Sequence, residues 1–204
     1  MTKEKEEQSV ASASDEEAGK ESNKEPSKGP RELIKGTFIQ ERIMIENSEA
    51  ARLLQEKSCF GWLEKNRITL TLIEAFYLIQ KEKLQVLDGK SKPFSEEAFL
   101  KKAVKLEPQF WVKYCVFRDL RNRGYIVKTA LKFGADFRVY DRGIKPGEDH
   151  AKWIVYPVHE GSTLTWHDFS AKNRVAHSTK KRLLIGIVDE ESDVTYYSIS
   201  WIRP

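Results

Sequence analysis

Cysteine is scarce in this chain. Cys59 and Cys115 are the two among 204 residues. That excludes a disulfide framework and points to a reducing, cytoplasmic setting. No run of eighteen apolar residues occurs, so no membrane-spanning helix and no membrane partner are expected. The opening MTKEKEEQSV has no apolar stretch, and a secretory leader is not expected. His150, His159, His167 and His177 show no paired spacing and no neighbouring cysteine cluster. Zinc needs converging ligands, so no metal and no other cofactor is expected. A G-x-S-x-G elbow is missing, which argues against a serine hydrolase. GKS at 89–91 is not a P-loop, because the required glycine five residues before Gly89 is Leu84. Cys115 falls on an apolar helical stripe and reads as a small core residue.

Large apolar side chains are also nearly absent from residues 1–30, where Lys, Glu and Ser alternate. Such a segment cannot bury enough surface to offset its ordering entropy and is expected to be a disordered charged tail. Two domains are expected after it, at 31–108 and 109–204. In the first, GTFIQERIMIE (36–46) alternates as strands do. Ser48 is placed to cap a helix over SEAARLLQEKS. ITLTLIEAFYLIQKEKL (68–84) carries Leu72, Ala75, Phe76 and Ile79 on one stripe and reads as a core helix. LQVLDG gives a strand and a turn. Ser95 caps the next helix, with Phe94 and Phe99 forming a hydrophobic staple, and Pro108 breaks it. QFWVKYCVFRDLRNRG (109–124) is a further helix with Trp111, Cys115 and Phe117–Leu120 inward and Gly124 at its end.

Beyond Gly124 the pattern turns to short strands: YIVKTA, FGADFRVY, WIVYPV, LLIGIVD and DVTYYSISWI. A helix is expected at 170–182, with Val175, Ala176 and Thr179 inward. Strands and helices mix without regular alternation, so the fold class is α+β: a small mixed N-terminal domain, then a C-terminal mixed sheet with flanking helices. Charge is uneven. From Trp111 onward there are 16 Lys and Arg against 11 Asp and Glu, and four of those acids sit together in DEESD, 189–193. A basic surface suits a phosphate polymer without naming one.

Three sites remain for chemistry. Alternation in FGADFRVY puts Asp136, Arg138 and Tyr140 on the more polar face, with Tyr140 at the strand end. His150 lies across a loop running from Gly143 to Gly147. Lys180, Lys181 and Arg182 sit where the last helix meets a strand. Polar residues on loops of a rigid scaffold are a common way to build a site. Each also has a plain reading, as a packed tyrosine, a solvated histidine and lysines that complement a helix dipole.

VFRDLRNRGYIVKTALKFGADFRVY, HAKWIVY and RVAHSTKKRLLIGIVDEESDVTYY, taken in that order, resemble the archaeal tRNA-splicing endonuclease family over roughly residues 109–204. The preceding segment resembles the family's smaller N-terminal domain. The resemblance implies cleavage of precursor tRNA at a bulge–helix–bulge, without metal, leaving 2′,3′-cyclic phosphate and 5′-hydroxyl ends. It assigns Tyr140, His150 and Lys181 as catalytic, with Lys180 the weaker choice for the lysine. It makes Arg174 the residue that brackets a bulge base. Arg118, Arg121, Arg123 and Lys128 become candidates for RNA backbone contacts. The family assembles as homotetramers, heterotetramers or fused dimers. The resemblance therefore implies self-association through the last strand (194–202) and the acidic loop (189–193), as a homotetramer or beside a structural subunit. A non-catalytic RNA-binding subunit is the alternative. A DNA nuclease of similar fold is a third reading, with Asp136 and Asp141 as its carboxylates.

Overall fold

The computed structural model describes residues 33–131 and 134–202. The tail expected at 1–30 lies outside them. Among the described residues, no helix is long and apolar enough to cross a membrane.

The first sheet grows from a tight hairpin. β1 (Ile34–Ile39) and β2 (Arg42–Glu46) pair antiparallel, with Ile43 and Ile45 fully buried. α1 (Glu49–Ser58) starts at Ser48, whose hydroxyl accepts the Ala51 N–H, as its sequence implies. β3 (Trp62–Glu64) and β4 (Arg67–Thr71) follow, then α2 (Leu72–Gln80) and β5 (Leu84–Leu87), which runs parallel to β1. The sheet order is β3-β4-β2-β1-β5.

A single helix over 68–84 is not what forms. Ile68–Thr71 belong to β4, where Ile68 and Leu70 alternate into the core. β-branched Ile68, Thr69 and Thr71 favour extended backbone. The capping box of Thr71 and Glu74 then begins the helix at Leu72. α3 (Glu96–Leu106) is capped by Ser95, and the rings of Phe94 and Phe99 meet edge to face with centroids 6.2 Å apart.

α4 (Phe110–Asn122) is followed by Gly124 at φ +88, in the left-handed region that suits glycine. Its inward side is Tyr114, Cys115, Phe117 and Leu120. Trp111 instead remains 36% exposed, and its indole N–H donates to Ser192 Oγ at 3.0 Å. The second sheet contains β6 (Ile126–Ala130), β7 (Ala135–Tyr140), β8 (Trp153–His159), β9 (Arg182–Val188) and β10 (Val194–Ile199) in the order β10-β9-β8-β7-β6. Only β8 and β9 pair in parallel, joined through α5 (Trp166–Ser178). α5 begins and ends four residues before the expected 170–182. Thr165 accepts the Asp168 N–H and sets the start, and Lys180 at φ +55 lies past the end. Ala176 is its buried residue; Val175 is partly buried, and the Thr179 hydroxyl turns back onto the Val175 carbonyl. β10 stops at Ile199, short of the 202 expected for the last strand. The observed architecture is α+β.

One buried cluster runs from the first sheet through α2, α3 and α4 to the α4 side of the second sheet. A polar knot ties its margin. Glu74 is 4% exposed and accepts the N–H groups of Gly61 (2.9 Å) and Thr71 (3.1 Å) and the Thr71 hydroxyl. Lys128, on the edge strand β6, reaches the same carboxylate at 3.4 Å and donates to the carbonyls of Cys59 (2.9 Å) and Gly61 (2.7 Å). Gly61 holds φ +64, and a Cβ there would stand 2.5 Å from the Thr69 carbonyl. Removing one member of a buried ion pair strands the other charge. Lys128→Met is therefore predicted to destabilise the chain by about 3 kcal/mol in denaturant unfolding. A change below about 0.5 kcal/mol, the range of ordinary surface substitutions, would refute this role.

Candidate active site

Two backbone hydrogen bonds define one end of the second sheet. The Lys152 N–H donates to the Val139 carbonyl at 2.9 Å, and the Arg182 N–H donates to the Lys152 carbonyl at 3.0 Å. Val139 is level with Trp153, and Trp153 with Arg182. Carried one residue outward, the register sets Tyr140, Lys152 and Lys181 in a row across three neighbouring strands. Strands lie about 4.8 Å apart, so the backbones of Tyr140 and Lys181 are roughly 10 Å apart. Neighbours in register share a face. Phe137, Val139, Val155 and Leu184 face α4, whereas Ile154, Leu183 and Ile185 face α5. Alternation then places Tyr140, Lys152 and Lys181 on the α5 face.

His150 precedes Lys152 by two residues and is exposed, just outside the sheet end. Its loop is shaped by two turns, Ile144 N–H to the Asp141 carbonyl (3.1 Å) and Glu148 N–H to the Lys145 carbonyl (3.1 Å). Gly143 and Gly147 hold φ of +80 and +100 at these bends. The His150 N–H donates to Asp149 Oδ1 at 2.6 Å. The sequence thus brings all three candidates to one edge of the sheet.

Their surroundings differ. Tyr140 lies on the expected face but is 4% exposed, with the Arg138 guanidinium 5.9 Å from its ring centre. Lys181 is half-buried, and its ammonium donates to the Thr179 carbonyl at 2.8 Å. Lys180 is exposed in left-handed backbone, turning the chain from α5 into β9. Arg174 is exposed on α5, four residues before its C-terminal Ser178.

Lys152 is the residue that reading for motifs missed. It occupies the middle of the row, pairs with Asp141 and lies over the Trp153 ring at 4.5 Å. A hydrogen bond from Lys152 holds the Asp141 carboxyl below the usual carboxylate range, with the Arg142 N–H adding to it. The signal was present in HAKW, where Lys152 is two residues from His150. Asp136 is paired with Lys113 at 2.7 Å. Asp136 and Asp141 stand at opposite ends of β7, roughly 17 Å apart along a strand, so they do not converge as nuclease carboxylates would.

Three of the basic residues considered for RNA contacts serve the fold. Lys128 belongs to the Glu74 knot. Arg121 donates to the Ser58 carbonyl at 2.7 Å and lies 3.9 Å from the Phe60 ring centre. Arg118 donates to the Ser192 carbonyl at 3.3 Å, helping Trp111 hold the acidic loop. Arg123 is the exception, half exposed while paired with Asp119. Within the loop, Asp193 N–H donates to Asp189 Oδ1 at 2.8 Å, and Ser192 takes φ +69. β10 pairs with β9 alone and so forms an edge of the sheet, with Tyr197 56% exposed.

The chain is similar to known proteins over most of its length. Residues 110–196 match the family described as tRNA intron endonuclease, catalytic C-terminal domain, and residues 34–100 match its N-terminal domain. The chain is 42% identical over 171 residues to the tRNA-splicing endonuclease of Methanothermobacter thermautotrophicus, covering 84% of this chain and 99% of that protein. It is 40% identical over 173 residues to that of Thermococcus onnurineus, covering 85% and 99%. With that of Nanoarchaeum equitans it shares 43% over 155 residues, covering 71% and 99%.

Burial separates stability from chemistry at these positions. His150→Ala, at an exposed loop site, is predicted to change unfolding free energy by less than about 0.5 kcal/mol. Tyr140→Ala is predicted to cost about 3–5 kcal/mol, as other buried aromatic truncations do. Thermal unfolding of the two variants checks this; a large loss for His150→Ala or none for Tyr140→Ala would contradict the placement.

Proposed function

The chain belongs to the tRNA intron endonuclease family, and from that premise we propose that it is a tRNA-splicing endonuclease cutting precursor tRNA at both splice sites of a bulge–helix–bulge. The observation that supports this most is the shared sheet end of Tyr140, His150 and Lys181. A non-catalytic RNA-binding subunit has no need of a phenol, an imidazole and an ammonium at one edge.

In the proposed reaction, the ribose 2′-oxygen loses its proton and attacks the adjacent phosphorus in line. The bond from phosphorus to the 5′-oxygen breaks, and that oxygen leaves with a proton. The products are a 2′,3′-cyclic phosphate and a 5′-hydroxyl, with no water consumed and no metal required. Tyr140 takes the 2′-hydroxyl proton. A phenol titrates near pH 10 in water, and a neighbouring ammonium favours the phenolate. Lys181 lies in the same row, two strands away. Lys181 also stabilises the extra negative charge on the phosphorane. His150 delivers the proton to the leaving oxygen. Its position outside the strands suits a group that meets the departing strand from the solvent side. Arg174 offers a guanidinium plane to an unstacked bulge base.

Two cuts in one substrate require two such sites. The single-partnered β10 is suited to pair with a second chain, since an open edge is otherwise a liability. The braced acidic loop 189–193 would seat on a second subunit. These features support a homotetramer, or a heterotetramer with a structural subunit, of chains built as a tail over 1–30 and domains over 31–108 and 109–204.

The test is incubation of the full chain with an intron-containing precursor tRNA in EDTA, followed by end mapping. The expected result is cyclic-phosphate and 5′-hydroxyl ends at both bulges. Tyr140→Phe, His150→Ala and Lys181→Met should each slow single-turnover cleavage by about 100-fold or more. An RNA carrying 2′-deoxyribose at both splice sites should stay intact. Cleavage of that deoxy RNA, or a strict need for divalent metal, would refute the reading.

A further inference from the structure

The sheet end that carries Tyr140, Lys152 and Lys181 on its α5 side opens on the α4 side into a separate hollow. Its volume is about 370 Å³, within the range of ligand pockets, which begins near 300 Å³. Leu120 and Leu184 form an apolar floor. Tyr125 and Trp153 form an aromatic wall, their rings edge to face at 88° with centroids 5.7 Å apart. Arg123 and Arg182 contribute to the lining. Arg182 is exposed and level with Trp153, one residue along from the Lys152 and Lys181 row.

Cations flank both rings. The Arg142 guanidinium lies 5.0 Å from the Tyr125 ring centre, and the Lys152 ammonium 4.5 Å from that of Trp153. Asp119 is bound to Arg123 at 2.7 Å and Asp141 to Lys152; Arg182 and Arg142 are the cations in neither pair. An apolar floor, two aromatic rings and a cationic rim are the parts of a stacking site for single-stranded nucleic acid, in which a base meets the rings and its phosphate the guanidinium. A protein partner selected for the floor alone would gain nothing from the guanidinium rim.

We propose that this hollow is a nucleotide subsite, holding one unpaired base with its phosphate from an RNA strand that crosses the sheet end between the two faces. The proposal rests on the endonuclease reading above and adds to it a second contact surface, on the side of the sheet away from Arg174. It also gives Lys152 a double position, in the catalytic row by its backbone and against the subsite ring by its ammonium.

The experiment uses the full chain and a short single-stranded oligoribonucleotide containing 4-thiouridine and no splice site. Crosslinked residues are located by mass spectrometry, and affinity is measured by titration. The expected result is crosslinking to Tyr125 or Trp153, with affinity reduced roughly tenfold by Arg182→Gln and again by Tyr125→Leu, the loss typical of a stacking contact. Arg182 is exposed, so its variant tests the site without risk to the core. Crosslinks confined to the α5 side, or unchanged affinity in Arg182→Gln, would overturn the proposal. So would concentration-dependent protection of Trp153 in the RNA-free protein, unaltered by the probe, because the hollow would then be covered by a second copy along β10. The probe cannot be spliced, so a chain that fails to cut precursor tRNA still reports on the subsite. Conversely, normal cutting without probe binding refutes the subsite alone.

Discussion

The register of three strands is the constraint on which the site depends. Val139, Lys152 and Arg182 are joined by two backbone hydrogen bonds, one antiparallel and one parallel, at a single sheet end. Their effect is to set Tyr140, Lys152 and Lys181 side by side on one face. A slip of one residue in any of the strands would turn its member of the row to the opposite face. The crossover through α5 is what permits the parallel pairing. The left-handed Lys180 lets the helix end and β9 begin within a few residues. Placement of the proposed catalytic row is thus a property of backbone pairing, and the side chains inherit it.

A second level of constraint comes from the other sheet. The cluster that spans α2, α3 and α4 gives the second sheet its buried face, and Glu74 joins the loop at Gly61 to β6 through Lys128. Gly186 belongs to the same logic. A Cβ there would lie 3.0 Å from Val116 of α4, so its absence lets the helix close on β9. Packing of α4 on one side leaves the opposite side of the sheet end, with its loop at 141–150, to carry Tyr140, Lys152 and Lys181. The hollow walled by Tyr125 and Trp153 opens on the α4 side at that end.

Local signals were legible where their partners are near in sequence. Ser48, Ser95 and Gly124 act at helix ends as expected, and Phe94 meets Phe99. The strand of Tyr140 was readable from alternation, as was the loop before His150. What could not be read depends on distant partners. β4 was hidden because its apolar residues run without a break into α2, and only the Thr71–Glu74 box divides them. Arg121 and Lys128 looked like surface cations because the carbonyls they bind, at Ser58, Cys59 and Gly61, are 63 to 69 residues away. Lys152 was overlooked for a similar reason. Its significance arises from the parallel pairing of β8 with β9, which no short motif encodes. The likeness to the tRNA intron endonuclease family implied the chemical roles, and the strand register explains how Tyr140 and Lys181 come to share one sheet end.

The central claim is that His150 protonates the leaving 5′-oxygen at a site whose other groups act elsewhere on the phosphate. Its most direct test replaces that bridging oxygen by sulfur in the precursor RNA, since a thiolate departs without needing a proton. Under single-turnover conditions, His150→Ala should cut the sulfur-bridged RNA within about tenfold of the unsubstituted chain, recovering the factor of roughly 100 or more that general acid catalysis supplies. Tyr140→Phe and Lys181→Met should remain slow on it. Equal slowness of His150→Ala on the oxygen- and sulfur-bridged substrates would contradict the account.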